Sequence, residues 1–312
     1  MRKITVGTVL AILLSCLVGG CENSVVTQRR LSRLERMKRD SIDSASFRVG
    51  VMPTLDCLPV FVAQERHLFD TLGVTVHLRG YAAQMDCDTA LERGRVIGTV
   101  TDLFRAAKIQ KRGTQLTYPI STGSYWQLIT NRKARISDLK QLSDKMIAMT
   151  RYSVTDYLAD LAVDSAKPKS DVYRVQINDV NIRLKMLLNN EMDAVLLTEP
   201  QATKAVLEKN VKLMDSRDKN LYPGVFAFRV KGLKEPNRQK QLDLFVKAYN
   251  MAVDSINHFG LQHYSDLIRK YCAVDEQTVK ALPKLKYSKA KSPRQHDLDV
   301  VARQNKEVTK KK

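Results

Sequence analysis

The stretch Phe47–Cys87, FRVGVMPTLDCLPVFVAQERHLFDTLGVTVHLRGYAAQMDC, decides the fold. Phe47–Met52 is an apolar run with β-branched residues and reads as a buried strand. Pro53–Pro59 breaks it. Leu58, Phe61, Val62, Leu68 and Phe69 then recur near helical spacing, and Gly73 closes that helix. Val74, Val76 and Leu78 alternate as a second strand. Together these form a strand–helix–strand unit, the crossover that parallel strands require. Two strand-end loops carry similar words, Leu55-Asp56-Cys57 and Met85-Asp86-Cys87. Open α/β sheets bind ligands outside the carboxyl ends of their strands, so these loops are the first candidates for a site.

The pattern continues on the C-terminal side. Ala90–Arg95 reads as a short helix, Val96–Thr101 as a strand leading to Asp102, Leu103–Lys111 as a helix and Gln115–Ile120 as a strand. Trp126–Thr130 leads out of this half. A second half then restarts with strand Met146–Thr150, helix Ser153–Ala166, strand Val172–Ile177 and helix Val180–Asn189, the last with Ile182, Met186 and Leu187 facing inward. Ala194–Leu197, Gln201–Glu208 and Val211–Met214 continue the alternation, which implies a parallel sheet flanked by helices. Gly224–Val230 is the return crossing, and Asn237–His258 is a long amphipathic helix. The expected fold is α/β, with two similar lobes, each a mostly parallel sheet flanked by helices, and a ligand cleft between them. Lobe 1 comprises residues 47–124 plus 231–284, and lobe 2 residues 125–230. The two crossings form a hinge.

Residues 1–20 read as a secretion signal: Arg2 and Lys3 precede the apolar stretch Ile4–Val18. It ends Leu17-Val18-Gly19-Gly20-Cys21, which resembles a bacterial lipobox displaced by one residue, with Cys21 as the lipidation site. Residues 21–46 form a basic tether, with Arg29, Arg30, Arg33, Arg36, Lys38 and Arg39, either a solvated spacer or a loose helix on anionic lipid. The net charge of +19 raises a nucleic-acid reading. However, residues 278–312 hold eleven Lys and Arg against three acids, a net of +8, and no zinc-finger or aromatic–basic RNA motif occurs. Nucleic acid is therefore not an expected partner, and residues 285–312 are expected to be a basic tail, either flexible or loosely docked as an arm.

At this point the chain resembles a known family, the type 2 periplasmic substrate-binding proteins of ABC importers, in the branch of sulfonate, nitrate and thiamine-precursor binders. The matching words are Arg48-Val49-Gly50-Val51-Met52-Pro53, Leu58-Pro59 with Ala63 and His67-Leu68-Phe69, Asp156-Tyr157-Leu158, and Asn190-Glu191-Met192-Asp193-Ala194 leading to Thr198-Glu199-Pro200. The Asp-Cys words and the basic tail depart from the family pattern. The resemblance implies a monomeric receptor, not an enzyme, held outside the cytoplasm by its lipid. Such a receptor closes two lobes on a small polar molecule and delivers it to a membrane permease.

Strand-end loops of lobe 1 offer Thr54, Asp56, Cys57, Gln84, Asp86 and Asp102 as ligand contacts. Lobe 2 offers Thr150, Arg151, Tyr152, Ser153 and Glu199. The helix starting at Ser153 presents backbone N–H groups beside Arg151, which either form an anion site or are simply capped by Ser153. The carboxylates either bind an amine or hydrogen-bond loop backbone. Cys57 and Cys87, at the ends of neighbouring strands in an oxidising compartment, are expected to form a disulfide. No metal or cofactor is expected: the histidines are scattered, and no G-x-S-x-G elbow, P-loop, H-E-x-x-H or dinucleotide fingerprint occurs. Two other readings stay open, an exported enzyme or cofactor-synthesis protein on the same fold, and a sensory module without transport.

Overall fold

The structure, a computed structural model, describes residues 45–310. The expected signal segment, Cys21 and most of the tether lie outside the described residues. β1 (Phe47–Val51) and β2 (Val76–Gly80) are joined through α1 (Leu58–Glu65) and α2 (Leu68–Thr71). Pro59 stands in the first turn of α1, where a missing N–H leaves no helical bond unmade. α3 (Gln84–Glu92), β3 (Gly98–Asp102), α4 (Leu103–Lys111) and β4 (Leu116–Ser121) follow. The chain then crosses to β5 (Gln127–Thr130), β6 (Met146–Met149), α5 (Val154–Ala166), β7 (Tyr173–Gln176), α6 (Val180–Leu188), β8 (Ala194–Leu197), α7 (Gln201–Leu207) and β9 (Val211–Asp215). It returns through β10 (Gly224–Arg229), α8 (Val230–Leu233), α9 (Arg238–Phe259), α10 (Ser265–Cys272), α11 (Glu276–Ala281) and α12 (Gln295–Lys310).

The strands form two five-stranded sheets, ordered β2-β1-β3-β10-β4 and β7-β6-β8-β5-β9. The expected two-sheet α/β architecture is present, but both sheets are mixed. β10 runs antiparallel between β3 and β4, and β5 runs antiparallel between β8 and β9. Each is the first strand formed after a crossing, so it enters its new sheet from the opposite end. β10 is thus an inner strand of the first sheet, and the chain is already back there at Gly224 rather than after residue 230. Strands covered on both faces read as continuous apolar runs, as fully buried β8 does with Ala194–Leu197.

Packing joins the two halves. One apolar core centres on Phe47, Phe226, Phe228 and Phe245 and extends to Ile129 and Val195 of the second sheet. Phe245 of α9 lies over the first sheet, with ring centroids 5.7 Å from Phe47 and 5.8 Å from Phe228. Such aromatic pairs add about 0.5–1.5 kcal/mol each beyond their buried area. A second core runs from Leu91 and Leu103 to Leu128, Leu158 and Leu196.

Of the two expectations for the C-terminal segment, the structure shows the docked arm rather than the flexible tail. Tyr287 is buried and donates its hydroxyl to the Leu55 carbonyl at 2.9 Å. Asp297 of α12 is fully buried and accepts both from the Tyr222 N–H and from the Arg294 guanidinium. Val301, also buried, seals the helix onto the second core. The basic composition masked a few well-spaced anchors.

Candidate functional site

A cavity of about 40 Å3 lies where the carboxyl ends of strands from both sheets meet. Thr54, Asp56, Gln84 and Asp102 line it from the first sheet, and Thr150 and Ser153 from the second. Thr54 donates to the Asp56 carboxylate at 2.5 Å. Asp56 keeps part of its surface open to the cavity, yet burial pushes its carboxyl above the ordinary range. Gln84, at the start of α3, donates to Asp88 Oδ1 and to the Val100 carbonyl, which holds its amide in the cavity wall.

Asp102 does more than line the wall. Its Oδ1 accepts the Phe104 and Arg105 N–H groups at the start of α4, and also the Val154 N–H at the start of α5, 3.2 Å away in the other half. Desolvation raises its carboxyl to about 7 despite these donors and nearby Arg105. Behind it, Arg105 is buried against Asp88 and reaches the Arg151 carbonyl across the cleft at 2.9 Å. Other bonds also cross: Leu55 N–H to the Glu199 carbonyl at 2.9 Å, Gln201 Nε2 to the Pro53 carbonyl at 2.7 Å, and a β-bridge between Ala83 and Asp179. The cleft is closed by direct contacts.

The start of α5 is capped from within the protein. Ser153 caps the helix, accepting from the Thr155 N–H at 3.0 Å and donating to the Thr150 carbonyl at 2.6 Å. With Val154 N–H taken by Asp102, those donors are satisfied from within the protein. Asp156 accepts from the Tyr152 N–H. The Arg151 side chain is exposed.

Besides Arg151, four expected site residues lie outside the cavity wall. Tyr152 is 47 % exposed, with Lys108 over its ring. The Glu199 carboxylate is consumed by Tyr125, Gln127 and Thr203. Asp86 is exposed because Gln84–Glu92 is helix, which turns the second Asp-Cys word from a strand-end loop into the first turns of α3. Cys57 is buried behind the loop, its Sγ accepting the Met52 N–H at 3.4 Å. The expected Cys57–Cys87 disulfide is absent: Cys57, Cys87 and Cys272 are free and fully buried. Each of the two thiols has its own partner, Met52 for Cys57 and the Thr99 hydroxyl for Cys87.

Among the wall residues that sequence reasoning missed are Trp126 and Arg183. Arg183 is only 5 % exposed, and its Nε and Nη1 have no hydrogen-bond partner. The signal was its spacing. Val180, Leu184 and Leu187 form the buried stripe of α6, and Arg183 stands on that stripe one turn from Val180 and from Leu187. Ile182, expected to face inward, is exposed.

No family model matches the sequence, and no curated protein matches it either. Solved structures do match the fold. A zinc-bound ligand-binding component of an ABC-type import system from Staphylococcus aureus superposes with a TM-score of 0.72 at 14% identity, over 85% of this chain and 92% of its own. The chain shares its fold with substrate-binding proteins of ABC-type importers. The alkanesulfonate-binding protein SsuA from Xanthomonas axonopodis pv. citri, bound to MOPS, matches with a TM-score of 0.68 at 15% identity, over 83% of this chain and 91% of its own. The periplasmic nitrate-binding protein NrtA from Synechocystis PCC 6803 gives 0.65 at 12% identity, over 75% and 68%. All three are described as binding proteins. Among the described residues, no group of three His, Cys, Asp or Glu is placed to hold a metal ion, and no helix is long and apolar enough to cross a membrane. In this binding-protein fold, the cavity occupies the space between the two sheets.

Proposed function

We propose that the protein is an extracytoplasmic receptor that captures a small polar molecule between its two halves and delivers it to an ABC importer. The observation that carries this reading is the cavity itself, walled by strand ends of both sheets and closed by hydrogen bonds that cross it. Residues 47–124 with 231–284, and 125–230 less the returning β10, act as lobes that part about the two crossings. Thr54, Asp56, Gln84, Asp102, Thr150 and Ser153 contact the ligand. The shared fold with importer components supports delivery to a permease. Lipid on Cys21 keeps the monomeric receptor at the membrane, a reading supported by Leu17-Val18-Gly19-Gly20-Cys21 behind a short apolar stretch.

Native mass spectrometry of gently purified protein tests the capture. A discrete small mass present in the native spectrum and lost on denaturation is expected. A spectrum without it, together with no thermal shift across amines, acids, pyrimidines and metals, overturns the receptor reading. The mass of the N-terminal peptide tests the anchor: a diacylglyceryl-modified Cys21 is expected, and an unmodified residue there refutes it.

A further inference from the structure

Two groups in the cavity wall have unmet hydrogen-bonding capacity. Arg183 Nε and Nη1 are buried without a partner, and so is Thr150 Oγ1. Most buried polar atoms in folded proteins are paired, and a buried cation without a counter-charge is strongly disfavoured. Asp179 lies near enough for its charge to favour the guanidinium, but its carboxylate caps its own helix through Asn181 and Ile182. Burial lowers the guanidinium to about 10, which leaves it a cation at neutral pH. The other charges lining the cavity, Asp56 and Asp102, are engaged by Thr54 and by three backbone N–H groups.

We propose that Arg183, with the Thr150 hydroxyl, receives an oxyanion: the acid group of the captured molecule or a free inorganic oxyanion. The guanidinium fork matches two oxygens of a carboxylate, sulfonate, nitrate or phosphate, and the hydroxyl can donate to one of them. The cavity of about 40 Å3 admits only a few non-hydrogen atoms while the cleft is closed. It therefore fits a compact acid group, and any larger organic remainder needs the lobes to part. This inference rests on the receptor reading and names its ligand class.

The single tryptophan, Trp126, lines the same cavity and reports its occupancy by fluorescence. Full-length wild type, Arg183→Met, Arg183→Lys, Thr150→Val and, as an exposed-charge control, Lys133→Met are titrated with nitrate, sulfate, phosphate, alkanesulfonates and short carboxylates. Neutral and cationic compounds run in parallel. At least one anion is expected to bind the wild type and the control alike. Binding weakens about 100-fold or more in Arg183→Met, as loss of one partner of a buried charge pair does. Arg183→Lys retains part of it, and Thr150→Val loses about 10-fold. Preference for inorganic ions or for organic acids identifies the source. Unliganded Arg183→Met should melt no lower than the wild type, because an uncompensated buried charge has gone. If that variant fails to fold, Thr150→Val carries the test. A neutral or cationic ligand bound equally by wild type and Arg183→Met overturns the oxyanion inference and leaves the receptor standing. No binding of any compound overturns both.

Discussion

Asp102 links the starts of two helices from opposite halves of the chain, and its protonation should set how firmly they are linked. Its carboxyl lies near 7 in the folded protein against about 3.9 unfolded. Between those values the folded state holds a proton that the unfolded state has released. The associated stability is therefore complete below about 4 and is lost as pH rises through 7. Asp102→Asn keeps an acceptor oxygen for Val154 and removes the titration. Its melting temperature should gain on that of the wild type as pH climbs from about 4 to about 7, and the difference should level off above that. Asp88, Arg105 and Asp56 are common to both proteins, so parallel melting curves would refute this role for Asp102. The thiols give a second residue-scale prediction. A bulky maleimide should leave Cys57, Cys87 and Cys272 untouched in the native protein and label all three in unfolded, unreduced protein. Labelling of Cys272 alone would restore the disulfide. Of the residues expected at the site, Thr54, Asp56, Asp102, Thr150 and Ser153 line the cavity, because each follows a strand end, where the fold rule points. Glu199, also beyond a strand end, does not line it, and nothing local reveals that Tyr125, Gln127 and Thr203 occupy its carboxylate.

Elements that carry a start signal were legible and those without one were not. Ser153 announces α5, and its side chain makes the cap. Ala83 precedes α3 with no side-chain cap at all, so the sequence signals a helix only from Ala90 and leaves Cys87 in a loop. The same rule exposes the antiparallel strands. An apolar run such as Gly224–Arg229 shows burial but not direction, because both kinds of ladder bury the same side chains. Its fit is tight. A Cβ on Gly98 of β3 would collide with the Phe228 ring of β10, itself fully buried beneath Phe245. Gly98→Ala should therefore destabilise the protein by about 1–3 kcal/mol, the usual range for overpacking. Urea unfolding measures it, and a change below about 0.5 kcal/mol, the level of a neutral surface substitution, would mean that the β3–β10 contact is looser than described.

At the scale of the molecule, the alternation of strands and helices was enough to read two sheets and a cleft, because buried parallel strands need crossovers. Charge was a poorer guide. The C-terminal segment is basic by composition and yet anchored by Tyr287, Asp297 and Val301. Asp297→Ala strips the acceptor from the Tyr222 N–H and from Arg294, and should cost about 1–3 kcal/mol. An unchanged urea midpoint would show that this segment adds nothing to the fold. The exchange of strands between the sheets has one more consequence, for the order of assembly. β3 and β4 are made early, but the strand that belongs between them is Gly224–Arg229, which follows the whole second sheet in the chain. A chain growing from its N-terminus must hold that slot open, with two strand edges unpaired, until more than two hundred residues have been made. The half built first is thus the half completed last, and it is during that interval that this protein has most to gain from a chaperone.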